Sequence, residues 1–517
     1  MARRSYTCDV LVVGGGMAGC WAALAAARSG AKVILAEKGF VGTSGVTATA
    51  GPGHWWVPPD PPELRRRAIA ERAERGLGLA DPDWMARIID LTWKSLPTLA
   101  SHYLFHSEDG VTYYRGLRGP EYMRAMRLLV QEAGVRILDQ SPTHELLLGI
   151  NGGVAGALGE HRQQGIDWQV RAGAVVMATG GCAFFSHLLG SRNNTGDGYL
   201  MAMEAGAELS GMEFSTYYTV APARSTMTRS MAYSFARYFD ATGRELDIPP
   251  GPQATRHLAK AMARGKVFCS LDRVPDDVQA IMRHVQPNFV IPFDRWRIDP
   301  YRDRFEVTLH GEGTVRGIGG LRIAGDDCQT SLPGLYAAGD AATRELIAGA
   351  VSGGGAQNSA WALSSGQWAG TGAARYARQY GDHDLPADRV APTAGRASDI
   401  AVAEVVAAVR EEMETPAKNM FRNDRQLHAS LVRMDGLWSA LKTQAFDTRW
   451  QAREMTAAVA TARWCLNAAL ARTESRGMHY RTDYSEINSA QAHRLTTRGL
   501  DHITVGPEPI PASEAAA

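Results

Sequence analysis

Short unbroken apolar runs separated by glycine clusters set the pattern of this chain. Val10-Leu11-Val12-Val13 reads as a buried parallel strand, and Gly14-x-Gly16-x-x-Gly19 after it opens an alanine-rich helix. A second apolar run, Val33-Ile34-Leu35-Ala36, ends at Glu37. From about 61 to 134 the spacing turns helical, with Met85, Ile88, Ile89 and Leu91 set against charged neighbours. A strand at 135–138 is followed by segments at 145–150, 154–158, 168–171 and 174–177. The Asn151-Gly152-Gly153 turn predicts that they form an antiparallel meander. The meander ends at Ala178-Thr179-Gly180-Gly181. Asn194-Thr195-Gly196-Asp197-Gly198 then opens a helix through Met201 and Met203.

From 221 to 312 the pattern loosens, with many Arg, Pro and aromatic residues, and predicts a smaller α+β cap. Gly317-Ile318-Gly319-Gly320 leads back to the main fold, and the strand at 335–338 ends in Gly339-Asp340. Gly349 and Gly353-Gly354-Gly355 precede a helix at Asn358-Ser359. A polar stretch near 381–398 reads as a linker. Periodic helical runs follow around 400–413, 424–443 and 450–474, and the tail from about 505 is expected to fray. The fold class expected is α/β. A Rossmann-like domain covers 1–220 and 313–380 with a helical insertion at 61–134, the α+β cap is inserted at 221–312, and a helical domain covers 381–517.

The first turn carries the chemistry. Gly14 permits a sharp bend, Gly16 lets backbone N–H groups approach a pyrophosphate, and Gly19 lets helix and strand pack closely. The phosphates would meet the positive end of the helix dipole. Glu37, at the end of the second strand, stands where a carboxylate meets the ribose hydroxyls of an adenine dinucleotide.

With 517 residues the chain exceeds one compact core. A net charge of +1 gives no basic field, so no nucleic-acid partner is expected. None of the six cysteines forms a Cys-x-x-Cys pair, which argues against a bound metal or an iron–sulfur cluster in this chain. Buried reduced thiols fit a reducing compartment, and Cys182 reads as a small residue filling a turn. No apolar run is long enough to span a membrane. Met-Ala-Arg-Arg looks like the start of a signal peptide, but the apolar run after it is the first strand of the nucleotide fold. The expected location is the cytoplasm.

Gly14–Gly19 with Glu37, Ala178–Gly181, Asn194–Gly198, Gly334–Asp340 and Glu474–Arg481, in that order, resemble the flavoprotein family of fumarate reductase and succinate dehydrogenase. That family includes L-aspartate oxidase and the α subunit of adenylylsulfate reductase. The resemblance implies FAD, a capping domain, and a substrate that lies between cap and FAD domain and exchanges a hydride with flavin N5. Carried over, Gly14, Gly16, Gly19, Glu37 and Lys38 hold the ADP half. Thr43 and Ser44 meet phosphate or flavin, Asp197 the nucleotide side, and Asp340 and Ser359 the ribitol and flavin. Met17, Ala18, Gly45, Thr179, Gly180, Gly339 and Asn358 complete the expected contacts. Competing structural roles are helix capping for Asp197 and Asp340 and turn formation for Thr43 and Ser44. Glu474–Arg481 is expected to lock a helix end against the FAD domain.

The departures bear on substrate. Gly45 stands where succinate dehydrogenase has the histidine that carries FAD covalently, so the flavin is expected to be noncovalent. Tyr217-Tyr218-Thr219-Val220 replaces the family's Phe-His-Pro-Thr. Val315, beside Arg316, stands at the second substrate histidine, and Gly354 at the carboxylate-binding arginine. A pocket without these anchors cannot clamp a four-carbon diacid in the family's way, so a substrate other than succinate, fumarate or aspartate is expected. Arg256, ahead of Leu271-Asp272, is the candidate proton donor, although His257 follows it in place of the family's aspartate. His54, Trp55, Trp56, Tyr217, Tyr218, Arg224 and Arg316 are candidates to fill the vacated space, with Trp55 and Trp56 equally suited to an interface core. His54, Tyr218 and Arg316 join Arg256 as the catalytic set. Such a pocket suits an aromatic or heterocyclic substrate.

Gly119-Pro120-Glu121-Tyr122-Met123 is similar to the adenylylsulfate reductase branch and points to an iron–sulfur or ferredoxin-like partner protein. The expected activity is that of an FAD oxidoreductase working as dehydrogenase, reductase or oxidase. The alternative is an adenylylsulfate-reductase-like or electron-transfer subunit. A homodimer is left open.

Overall fold

The computed structural model describes residues 3–108, 110–226, 230–249, 251, 253–381, 387–390, 402–442 and 449–508. Among them the first strand, Arg3–Val13, lies inside an eight-stranded sheet. Its apolar half is buried between two parallel neighbours, Val33–Ala36 and Ile166–Met177. An unbroken apolar run is what a strand covered on both faces needs. The sheet order is Ala387–Arg389, Thr143–Gly149, Val154–His161, Ile166–Met177, Arg3–Val13, Val33–Ala36, Arg136–Leu138.

The meander is present, with a difference. The segments expected at 168–171 and 174–177 are one strand, Ile166–Met177. Its first half pairs antiparallel with Val154–His161, and its end takes Leu335–Ala337 as a parallel neighbour. In the hairpin turn, Gly153 N donates to Asn151 Oδ1 at 3.0 Å while Gly152 sits at φ +75°.

The 61–134 region holds the helices Pro62–Arg75, Pro82–Ser95 and Gly119–Glu132, with Met85, Ile88 and Ile89 buried. The described residues at 102–108 and 110–118 are not helical. They carry a small hairpin, Ser107–Glu108 with Val111–Thr112. Aromatic contacts hold it: Tyr122–Tyr103 at 6.5 Å, Tyr103–Phe105 at 4.8 Å, Phe105–Tyr114 at 4.7 Å, Tyr114–Trp56 at 4.6 Å and Trp56–Trp93 at 4.1 Å.

Tyr218–Pro222, Phe305–Gly311, Val267–Ser270 and Arg237–Phe239 form a separate antiparallel sheet. It has its own apolar cluster, which includes Val220, Leu258, Cys269, Met282 and Phe293. This body is tied to the main one where Asn288 Nδ2 donates to the Thr49 carbonyl at 2.8 Å. Beside that tie, a Cβ on Gly51 would lie 2.6 Å from the Val285 carbonyl, so the approach requires glycine.

The C-terminal helices are Val402–Glu414, Asp424–Lys442 and Arg449–Ala471. The region is not all helical, because Leu495–Arg498 pairs on one side with Thr504–Pro507 and on the other with Leu209–Ser210. The chain from 505 therefore does not begin to fray there, since Leu495–Arg498 supplies its hydrogen-bonding ladder. Most of the linker expected at 381–398 and the tail from 509 lie outside the described residues. The Glu474–Arg481 segment is buried and ion-paired: Arg472 meets Glu213 at 2.7 Å and Glu474 at 2.9 Å, and Arg476 meets Glu474 at 2.6 Å. The six cysteines are free and buried. No helix among the described residues is long and apolar enough to cross a membrane.

Candidate functional site

The strand Arg3–Val13 and the helix Met17–Arg28 meet at a turn whose glycines do different work. Gly14 has φ +102°, and a Cβ there would lie 2.3 Å from the Ala178 carbonyl. A Cβ on Gly19 would lie 1.7 Å from the Gly14 carbonyl, so Gly19 seats helix on strand. A Cβ on Gly16 would meet nothing within 4 Å, because that side opens into a cavity of about 1800 Å³. Gly14, Gly16, Met17 and Ala18 line it where the helix presents its N–H groups.

Glu37, Lys38, Ser44, Gly45, Thr179, Gly180, Asp197, Gly339, Asp340, Asn358 and Ser359 line the same cavity. Glu37 already accepts from Gly15 N at 2.6 Å and Gly39 N at 2.7 Å, one bond on each oxygen. It therefore shapes the turn as well as facing the space. Ser44 Oγ accepts from Phe40 N at 2.7 Å, a turn-closing contact. Thr43 is exposed and does not line the cavity; its hydroxyl lies 3.5 Å from the Phe40 carbonyl, as a turn former's would. Gly45 has φ +87°. Asp197 is the first residue of its helix, after the left-handed Gly196, and is not its N-cap. Asp340 accepts from Arg344 Nη1, and the cap of its short 3-10 turn is Ala338.

Lys38 is the centre of a buried charge cluster. Its Nζ donates to Asp197 at 2.7 Å, Thr195 at 2.8 Å and Glu454 at 3.0 Å. Burial works to lower its pKa, but Asp197 and Glu454 outweigh burial and raise it. Glu454 comes from the helix Arg449–Ala471 and is itself raised, first by burial. No local motif in the sequence marks Glu454 or pairs it with Lys38.

The four candidate catalytic side chains are not brought together. Arg316 lines the cavity. Its Nη2 donates to Tyr217 Oη at 3.2 Å, its guanidinium stacks 4.9 Å from the Tyr217 ring, and Nε has no partner. Burial alone would lower its pKa, but Tyr217, Glu312 and Asp340 outweigh it and raise it. His54 is buried behind the wall, edge-on to Tyr122 at 5.7 Å, and burial pushes its pKa down to about 3. That imidazole is neutral at physiological pH. Tyr218 packs with Ala259 and Met420 in a small apolar cluster, and burial raises its hydroxyl. Arg256 stacks 4.6 Å over Tyr480 and does not line the cavity. The wall also includes segments that sequence reading assigned no role, namely 102–107, Ser141, Asp277 and 284–289.

Where the resemblance puts substrate anchors, Val315 is apolar. Gly354 is left-handed at φ +75°, a conformation arginine adopts only with strain. A Cβ on Gly355 would lie 3.7 Å from Arg316 Nη1, so that guanidinium borders the same corner. The donor set fits a dinucleotide. Backbone N–H groups and the open side of Gly16 suit phosphates, carboxylates at Glu37, Asp197 and Asp340 suit hydroxyls, and the buried Asn358 amide has neither its N nor its O partnered within the protein.

Comparison with known proteins agrees. Residues 9–359 match the family described as FAD binding domain, and residues 408–506 match the one described as fumarate reductase flavoprotein C-term. The chain is similar to a polypeptide of the fumarate reductase (CoM/CoB) of Methanothermobacter marburgensis, at 26% identity over 94% of this chain and 96% of that one. It is also similar to L-aspartate oxidase of Mycobacterium bovis, at 27% identity over 95% of each chain. Its fold matches that of E. coli quinol fumarate reductase FrdA with a TM-score of 0.82 at 18% identity, over 98% of both chains. The chain belongs to the fumarate reductase and succinate dehydrogenase flavoprotein family and is an FAD-dependent oxidoreductase.

Proposed function

We propose that this protein exchanges a hydride with a small organic substrate other than succinate, fumarate or aspartate, and that Arg316 anchors it. FAD, when bound, supplies the hydride acceptor or donor at flavin N5. The observation that carries this reading is the position of Arg316. Among the four candidate catalytic side chains it alone faces the cavity, beside a Gly354 whose backbone disfavours the family's arginine. One guanidinium binds one carboxylate well, and the diacid's second carboxylate finds neither of the family's other anchors. Tyr217 holds the guanidinium in place and offers a ring beside it, which suits an aromatic or heterocyclic acid.

In this reading Gly14, Gly16, Met17, Ala18 and the Glu37–Lys38 pair hold the ADP half, and Thr179, Gly180, Asp197, Gly339, Asp340, Asn358 and Ser359 hold the remainder. Gly45 carries no group that could bond to the flavin, so the flavin is held noncovalently. Six free, buried cysteines support a cytoplasmic setting.

The test is anaerobic mixing of the yellow protein with candidate acids. Bleaching by a small acid other than succinate or aspartate, lost in Arg316→Met, supports the proposal; bleaching by succinate, or return of the yellow colour when fumarate meets the reduced protein, at full rate in Arg316→Met overturns it. A second reading, an electron-transfer subunit served by an iron–sulfur or ferredoxin-like protein, is favoured by the placement of His54, Tyr218 and Arg256 away from the cavity. It predicts reduction by a protein partner only.

A further inference from the structure

Five exposed large apolar side chains share one cavity of this protein. Leu104 is 96% exposed, and Tyr113, Leu189, Met231 and Ile281 are between 41% and 46% exposed. They come from stretches far apart in sequence, yet all five line the cofactor cavity, with Phe105 half-buried among them. Single exposed apolar residues are ordinary, whereas several that line one cavity point to a ligand groove or an interface. Here the group is the rim of a cavity of about 1800 Å³. Ligand sites typically span roughly 300–1,000 Å³, so the space exceeds what one ligand fills. Two of the rim residues, Met231 and Ile281, belong to the body built on the second sheet, and three to the main body, so a ligand on the rim touches both.

Resting on the reading of Arg316 as substrate anchor, we propose that the substrate is an amphiphilic monoanion. Its carboxylate meets Arg316, and an extended apolar body lies against Leu104, Tyr113, Met231 and Ile281. A four-carbon diacid has no apolar surface to cover this rim. An acid with a long hydrocarbon body covers it and leaves its charge at Arg316, which is half-buried where the other arginines of the wall, Arg115, Arg118 and Arg124, are exposed.

The experiment uses the FAD-loaded protein, with straight-chain carboxylates from butyrate to decanoate and succinate as probes, and reads Kd from the perturbation of flavin absorbance. The expected Kd falls about fourfold for each added methylene, and octanoate binds tighter than succinate. Leu104→Ser with Ile281→Ser flattens that dependence while flavin content per chain stays the same. Kd independent of chain length overturns the proposal, and is also the outcome if the rim covers a partner protein instead. Short acids that bind through Arg316 without chain-length dependence overturn the apolar rim and leave the anchor standing. Binding that survives Arg316→Met, with chain-length dependence intact, overturns the anchor and with it the monoanion. If no acid perturbs the flavin, both fail.

Discussion

Nη1 of Arg422 donates to Nδ1 of His479 at 2.9 Å, while Nε2 of the same ring faces the Arg472 carbonyl at 3.1 Å. Arginine can only donate, so Nδ1 accepts and the proton stays on Nε2. The ring is a neutral connector inside the buried junction between the C-terminal segment and the FAD domain.

That neutrality makes stability depend on pH. Burial, and after it the Arg422 guanidinium, hold His479 well below its ordinary 6.5, and burial alone takes His54 to about 3. Below pH 6.5 the unfolded chain takes up protons that these buried rings refuse. Stability is therefore full above that pH and falls as the pH drops. For His54 the loss at pH 5 is about 2 kcal/mol. Melting temperatures between pH 8 and pH 5 should fall, and His54→Phe should remove part of the slope. A wild-type melting point that rises on acidification would contradict this.

Lys38→Met should be far more damaging than its location at a loop suggests. It leaves Asp197 and Glu454 buried together without their shared cation, at a cost of roughly 3–5 kcal/mol. Flavin content should drop with it. Glu454→Gln added to Lys38→Met should recover part of the melting temperature, because one of the two crowded carboxylates is gone and only Arg192, at 3.6 Å from Glu454, remained to offset it. Equal melting points for the single and double variants would show that the cluster is not electrostatic in origin.

Gly16→Ala and Gly19→Ala separate binding from folding. A methyl on Gly16 points into open space, so the apoprotein should melt within about 1 kcal/mol of the wild type, yet purify with little flavin. A methyl on Gly19 collides with the Gly14 carbonyl and should lower the melting point of the apoprotein itself. Absorbance per chain after gel filtration and melting of the stripped protein give the two readouts. Normal flavin content in Gly16→Ala would mean that the phosphates approach elsewhere.

Arg316→Met should weaken binding of an aromatic acid such as benzoate by roughly 10- to 100-fold, the value of a charge-assisted hydrogen bond. Arg316→Lys should recover only part, because an ammonium cannot present two parallel donors. Titration followed by flavin absorbance checks both. If the lysine variant equals the wild type, the contact is a simple point charge.

What could be read in the sequence was what depends on near neighbours. The strand–turn–helix at Val10–Gly19, the Asn151–Gly153 hairpin and the helix after Gly353-Gly354-Gly355 each rest on glycine geometry or periodicity within a few residues. Glu37 followed from the strand–turn–helix spacing, whereas Asp197 and Asp340 came from the family resemblance, and all three line the cavity. What could not be read depends on long-range packing. The Lys38–Glu454 pair joins residues more than four hundred positions apart, and nothing local to either announces the other. Tyr218 and Arg256 sit where the family pattern puts chemistry, but packing against Met420 and Tyr480 holds them away from the cavity. The hairpin at 102–118 was hidden because its aromatic contacts run between segments and follow neither a helical nor a strand period.

The helix Arg449–Ala471 carries Glu454 near its start, and Arg472 follows its end, with about 26 Å of rigid backbone between them at 1.5 Å per residue. One end touches the cofactor wall through Lys38 and the other is clamped by Glu213. The last hundred residues are thus a strut of the nucleotide cradle and not an appendage. A proteolytic fragment that stops before residue 449 should come away colourless, even with every glycine of the first turn intact.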